Sequence, residues 1–309
     1  MQELTQQIKE KALEIGFHKV GIAKVDTDYQ DNAVEHLQAW LELGYQADMA
    51  WMNNPKRFDI RQCMPEVQSV ISVALNYYTP HQHSQDKQQG KISRYGWGRD
   101  YHRVMEKKLK ALSLWLANQD NNIKTRYYVD TGPIQDKVWA MRSGIGWIAK
   151  NSNVITREYG SWVFLGEIIT NLHLIADTPH TEHCGTCTRC LEACPTGAIA
   201  SPFVVDANLC IAYHTIENRA EHLPKDIVKN LQGWIAGCDI CQEVCPWNQR
   251  FSQVSDVPDF QPYSGNIAPN LEELVNIDQE KWQEKFPASA LRRIKPRMWQ
   301  RNARANLET

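Results

Sequence analysis

Apolar and polar positions change rhythm several times along the front half of this 309-residue chain. Leu4, Ile8, Leu13 and Ile15 mark one face of a helix over residues 3–16, and Gly16 is placed to end it. Residues 18–25 read as a strand, and residues 33–43 as a helix closed by Gly44. Between Val67 and Tyr78 the dense run Val70-Ile71-Ser72-Val73-Ala74-Leu75 predicts a buried strand. Residues 81–91 are polar and predict a loop or lid. Val104, Leu109, Leu112 and Leu116, with Trp115, predict a helix from Tyr101 to Ala117. A strand from Thr125 to Asp130 runs into the turn Asp130-Thr131-Gly132-Pro133; helical spacing resumes over 134–142, and Val163 to Ile169 reads as a strand.

This alternation predicts an α/β or α+β domain over residues 1–175. The pattern then dissolves into prolines, glycines and cysteines over 176–255, with one helix expected at Lys225–Trp234, and turns mostly helical over 256–309. The fold class is therefore read as α+β: an N-terminal α/β domain, a cysteine-rich middle domain, which the cysteine spacing below makes two-cluster ferredoxin-like, and a short helical C-terminus.

A net charge of −2 gives no global attraction to nucleic acid. The average hides a local charge of +6 over 281–309, on a body carrying −8. That tail can touch phosphate or form a solvated face. Met1-Gln2-Glu3-Leu4 has neither a positive leader nor an apolar core, and no apolar run is long enough to span a bilayer. With reduced thiols, these features predict a cytoplasmic protein with no membrane association.

The cysteines change the picture most. Cys184, Cys187, Cys190 and Cys194, followed by Pro195, form the C-x2-C-x2-C-x3-C-P run of two-cluster ferredoxins. Cys210, Cys238, Cys241 and Cys245, followed by Pro246, form a second group. In such ferredoxins the fourth cysteine of each run crosses to the other cluster. Applied here, Cys184, Cys187, Cys190 and Cys245 hold one 4Fe-4S cluster; Cys194, Cys210, Cys238 and Cys241 hold the other. Zinc modules also use C-x2-C pairs, but the triple spacing with two C-P endings is the more specific pattern. Cys63 stands outside it and reads as an ordinary buried thiol.

A ferredoxin needs only part of this chain, so the front domain is expected to hold the electron acceptor. Glycines beside tryptophans and charges at 94–102, 129–133, 142–151 and 159–167 fit a large flat ligand pressed against backbone. No G-x-G-x-x-G or P-loop occurs. The W-G-R-D-Y-H segment at 97–102, V-D-T-G-P at 129–133, R-S-G-I-G-W with K-N at 142–151, and both cysteine runs together resemble the epoxyqueuosine reductase family over nearly the whole chain.

The resemblance implies a cobalamin domain, a double-cluster domain and a helical-repeat C-terminus, here read as a short or truncated repeat region. The implied reaction reduces epoxyqueuosine to queuosine at the wobble position of tRNAs for Asp, Asn, His and Tyr. Cobalamin is the cofactor, reduced through two 4Fe-4S clusters by an external low-potential electron donor, and the enzyme is expected to act as a monomer. Asp130 corresponds to the family's proton donor, a role that favours a carboxyl raised by burial or a neighbouring carboxylate. Arg94, Trp97, Asp100, His102, Asp130, Arg142, Lys150 and Asn151 are the expected cofactor contacts.

Tyr95, Trp97 and Trp147 are candidates for stacking on corrin or base. Lys91, Arg94, Arg99, Arg292, Arg293, Lys295, Arg297 and Arg301 are candidates for RNA phosphate. The D-x-H-x-x-G pattern that supplies histidine to cobalt is missing after Asp100, and Ser93 stands where some members carry a cysteine. Two competing readings are a corrinoid reductive dehalogenase, which usually carries an export leader, and an electron-transfer protein with no substrate of its own.

Overall fold

A computed structural model of the chain describes residues 2–25 and 32–308. The front domain is built on a four-stranded sheet of β1 (Lys19–Lys24), β2 (Ser69–Asn76), β4 (Thr125–Tyr128) and β7 (Val163–Thr170), in the order β1-β2-β7-β4. All three pairings are antiparallel, which settles the sequence ambiguity in favour of α+β. All eight residues of β2 are buried, as its apolar run predicts.

The helices α1 (Gln2–Glu14), α2 (Ala33–Glu42), α3 (Tyr101–Ala117) and α4 (Asp136–Arg142) follow the predicted positions closely. Asp100 caps α3 by accepting the His102 amide at 3.1 Å. Val104, Met105, Leu109, Leu112 and Leu116 form its buried stripe. That stripe joins α1 and one face of the sheet in the largest core. Gly166 in β7 makes the contact possible: a Cβ there would lie 2.9 Å from both Leu109 and Met105. Helix α4 covers the opposite face.

Short pieces complete the domain: β3 (Lys91–Ile92) and the hairpin of β5 (Trp147–Ile148) with β6 (Val154–Ile155). The cluster domain contains α5 (Arg189–Ala193), the hairpin of β8 (Ile199–Ser201) with β9 (Val204–Val205), α6 (Ile211–Ile216), α7 (Lys225–Val228), β10 (Trp234–Ala236), α8 (Ile240–Glu243) and α9 (Pro246–Phe251). The helix expected over Lys225–Trp234 stops at Val228. Beyond it Gln232 and Gly233 adopt φ of 50° and 88°, which redirects the chain into β10.

The C-terminal helices are α10 (Ser264–Ile267), α11 (Leu271–Val275), α12 (Gln279–Lys285) and α13 (Pro296–Leu307). They share one core with Ile92, Trp97, Ile235 and Ala236. Strand β10 pairs in parallel with β3, so all three sequence regions meet there. The polar 81–91 loop is pinned into this junction by His83. Its Nε2 bonds the Ile92 carbonyl at 2.9 Å, and its ring packs edge-on against Trp97 and Trp234.

Candidate active site and cluster ligands

Strand β4 ends at Tyr128, and the chain turns sharply at Asp130, whose φ is 47°. Gly132 packs against Tyr128 so closely that a Cβ would lie 2.6 Å from it. Arg57 clamps the turn, donating from Nη1 to the Ile134 carbonyl at 2.8 Å and from Nη2 to the Gly132 carbonyl at 3.1 Å. Sequence reasoning missed Arg57, which lies in an irregular Pro-Lys-Arg stretch with no periodic signal.

The clamped turn presents the Asp130 side chain 55% exposed, open to an incoming ligand. Its Oδ2 accepts from Tyr101 Oη at 2.7 Å and from His102 Nε2 at 3.2 Å. His102 Nδ1 bonds Asp100 Oδ1 at 2.7 Å. The start of α3 thus delivers Asp100, Tyr101 and His102 to the Asp130 turn as one hydrogen-bonded chain.

Burial pushes the His102 imidazole down, but the two carboxylates outweigh it and raise the pKa from 6.5 to about 9. Burial pushes the Asp130 carboxyl up, yet the hydrogen bonds of His102 and Tyr101, with the charges of His102 and Arg293, bring it below the ordinary value. The raised acid expected from sequence is thus corrected: these neighbours make Asp130 the ionised partner and leave the proton on His102.

A neutral acid stands elsewhere. Glu167 of β7 is fully buried, and neither of its carboxyl oxygens has a partner; nor has the hydroxyl of Ser72, its neighbour across the strands. Burial first, then the charges of Asp136 and Asp130, push its pKa well above 4.5.

Arg94 and Trp97, expected at the cofactor, are instead buried. Arg94 donates from Nη1 to the Thr79 carbonyl at 3.1 Å and to that of His81 at 2.5 Å, and its guanidinium lies 4.7 Å from the Trp97 ring. Trp97 is 1% exposed and donates from Nε1 to the Ile92 carbonyl. Neither retains a face for a ligand, because both brace the junction of the three regions. Trp147 is likewise 1% exposed.

Ser93 Oγ and the Arg94 amide both donate to Asp239, a fully buried carboxylate between Cys238 and Cys241. Gly237, at φ 74°, lets this approach happen; a Cβ there would sit 2.5 Å from Ser93 Cβ. Lys150 and Asn151 also serve the cysteine loops. Lys150 Nζ donates to the carbonyls of Gly185 at 2.6 Å and Cys187 at 3.0 Å, and Asn151 Nδ2 donates to that of Cys241 at 3.2 Å. Arg142 ends α4 with its guanidinium 4.6 Å from the Trp139 ring. It shares a cavity of about 40 Å³ with Lys56, Arg57 and Gln135.

Four of the cysteines converge from two distant stretches of sequence. Cys184, Cys187, Cys190 and Cys245 line one cavity of about 220 Å³ with Lys150, Asn151 and Trp247. The other four lie near them: the charge of Cys194 acts on Cys210, those of Cys241 and Cys210 act on Cys238, and those of Cys210, Cys190 and Cys194 act on Cys241. Among the described residues no three His, Cys, Asp or Glu converge tightly enough for one metal ion. A cubane asks for something different, one thiolate at each of four irons around a cage.

Comparison with known proteins agrees with this architecture. Residues 57–131 match the family described as Epoxyqueuosine reductase QueG, DUF1730, and residues 183–248 match the 4Fe-4S double cluster binding domain. An epoxyqueuosine reductase of Atelocyanobacterium thalassa is 62% identical over 99% of this chain and 100% of its own length. A crystal structure of epoxyqueuosine reductase with a tRNA-Tyr epoxyqueuosine-modified stem loop superposes with a TM-score of 0.92 at 33% identity. It covers 99% of this chain and 81% of that one. The Bacillus subtilis enzyme, solved with its aspartate-bearing catalytic loop swung out of the active site, gives a TM-score of 0.89 at 32% identity over the same shares. The chain belongs to the epoxyqueuosine reductase family, whose members are oxidoreductases.

Proposed function

We propose that this protein reduces epoxyqueuosine to queuosine at the wobble position of tRNA for Asp, Asn, His and Tyr. In this reading two 4Fe-4S clusters feed a cobalamin held in the front domain, and Asp130 is the proton donor. The observation that carries it is the exposed Asp130 carboxylate, hydrogen-bonded to Tyr101 and His102 on a turn clamped by Arg57.

The side chains beside that turn have the donor chemistry that a corrinoid's amides and phosphate call for. Arg57 Nε is buried without a partner, and Lys56, Gln135 and Arg142 supply further polar side chains around the same small cavity. Arg57, Gln135 and Arg142 are the groups assigned to its carboxamides and phosphate, a revision of the sequence-based set that keeps Arg142. When bound, cobalamin supplies the low-potential electron pair that opens the epoxide.

The chain's own part is protonic. Asp100 holds His102 protonated, and His102 holds that proton against Asp130 Oδ2. Closing a ligand over the site removes water, strengthens the influence of burial on Asp130 and favours its neutral form. The acid then stands ready where negative charge develops on the departing oxygen, which leaves as water after a second proton.

The exposed Arg292, Arg293, Lys295 and Arg297 are assigned to tRNA phosphate, and Arg99, ion-paired with Asp259 at 3.2 Å, lies at the surface with them. Arg301 is withdrawn from that set: it is 8% exposed and donates to the carbonyls of His214, Asn218 and Ala220. The reading includes an external low-potential donor and a monomer acting in the cytoplasm; no helix among the described residues is long and apolar enough to cross a membrane.

The test is anaerobic incubation of cofactor-loaded protein with epoxyqueuosine tRNA and a strong reductant, followed by mass analysis of the nucleoside. Loss of one oxygen is expected. D130N is expected to bind tRNA and cobalamin but to lose turnover by at least a hundredfold; wild-type turnover in D130N would remove Asp130 as the acid.

A further inference from the structure

We propose that Trp51 and Arg293 form a platform at the mouth of the Asp130 site that takes an unpaired RNA nucleotide beside the base being reduced. This deepens the tRNA reading above and rests on it.

Three segments distant in sequence build the platform. Trp51 lies on the short 3-10 helix Ala50–Asn53, and its side chain stays 45% exposed, unusual for a ring of that size. Arg293 ends the 3-10 helix Ala290–Arg293, and its guanidinium carbon lies 5.4 Å from the Trp51 ring centroid. Glu217 supplies the third side, accepting from Arg293 Nε and, at 2.7 Å, from Nη2.

Helix α6 anchors both flanks. Tyr213 Oη donates to Asp48 Oδ2 at 2.7 Å, three residues before Trp51, and Glu217 caps the end of the same helix. The Arg293 segment is fastened to the approach to α3 as well. The Ala288 carbonyl accepts the Asp100 amide at 2.7 Å, and Leu291 packs on Gly96, where a Cβ would lie 2.6 Å from it. Arg293 thereby stands close enough for its charge to act on both Asp130 and Tyr95.

A fixed, exposed indole with a cation held against it is the chemistry of single-stranded nucleic-acid binding: the ring stacks a base, and the cation meets its phosphate. Arg292, Lys295 and Arg297, all exposed on the same segment, extend the positive charge away from the site. An RNA loop delivers unpaired bases on both sides of the reacting one, so a stacking surface at the mouth holds the loop while that base enters.

The experiment measures binding of a tRNA-Tyr anticodon stem-loop, and of a fully paired hairpin, to cofactor-loaded protein by fluorescence anisotropy. W51A is expected to weaken stem-loop binding about tenfold and leave the paired hairpin unchanged, while W51F keeps most of the affinity. R293Q is expected to lower the salt slope of binding by about one. If the wild type binds the stem-loop and W51A binds it equally well, the platform is wrong and the tRNA reading stands. Equal loss on both RNAs also overturns the platform, since the change would not concern unpaired bases. Unchanged RNA binding with slower electron delivery from a reduced donor protein would assign this surface to that donor instead. Failure of the wild type to bind the stem-loop at all would sink the tRNA reading itself.

Discussion

Two side chains carry protonation states opposite to those the same groups favour in water at neutral pH: a histidine kept charged and a glutamate kept neutral. His102 is raised to about 9, so its contribution to stability is complete below pH 6.5 and disappears as pH climbs through about 9. The melting temperature of the reconstituted protein is expected to fall between those limits, and that of H102Q to change less. Equal slopes would mean that His102 titrates alike in the folded and unfolded states. For Glu167, raised well above 4.5, stability declines once pH exceeds 4.5 and continues to decline up to the folded value. The slope is about 1.4 kcal/mol per pH unit in that window. E167Q, a neutral near-isostere, is expected to be more stable than wild type at pH 8, by denaturant titration, and no more stable at pH 4. Sequence made Asp130 and His102 conspicuous, but not the direction of either shift, because that depends on hydrogen bonds closed across 28 residues of chain.

Periodicity served well wherever burial is one-sided and local. Helix α3 matches its prediction from Tyr101 to Ala117, since a capping aspartate and a regular apolar stripe both lie within it. The 225–234 segment shows the limit. The helix stops at Val228, and a left-handed Gln232, which is no sequence signal, turns the chain into the β10–β3 pairing. Leu109 lies against Gly166 in the centre of the main core, with no solvent access. L109A is expected to lose about 2–5 kcal/mol of stability, because a glycine opposite offers no side chain to refill the space. A loss under 1 kcal/mol in chemical denaturation would show that the core repacks around it.

Across the whole molecule, the cysteine spacing made the cluster domain legible, whereas the attachment of that domain to the rest was not. Lys150 and Asn151 read as ligand contacts because lysine and asparagine beside glycine and tryptophan suit a bound anion or amide; only tertiary structure shows them holding the loops of Cys187 and Cys241. The crossed ligand sets predict about eight irons and eight sulfides per chain. C194A is expected to perturb the cluster of Cys210, Cys238 and Cys241, seen in the electron paramagnetic resonance of the reduced protein. Damage limited to the cluster of Cys184, Cys187 and Cys190 would contradict the crossing.

The tie from Ser93 and Arg94 to Asp239 joins the segment of Tyr95, whose ring meets Tyr101 of the Asp130 site, to the loop between Cys238 and Cys241. Corrosion of one inorganic cage would therefore be felt as slack in the organic pocket next door. An enzyme bleached by air should lose its grip on substrate along with its current, and rebuilding the metal should restore both together.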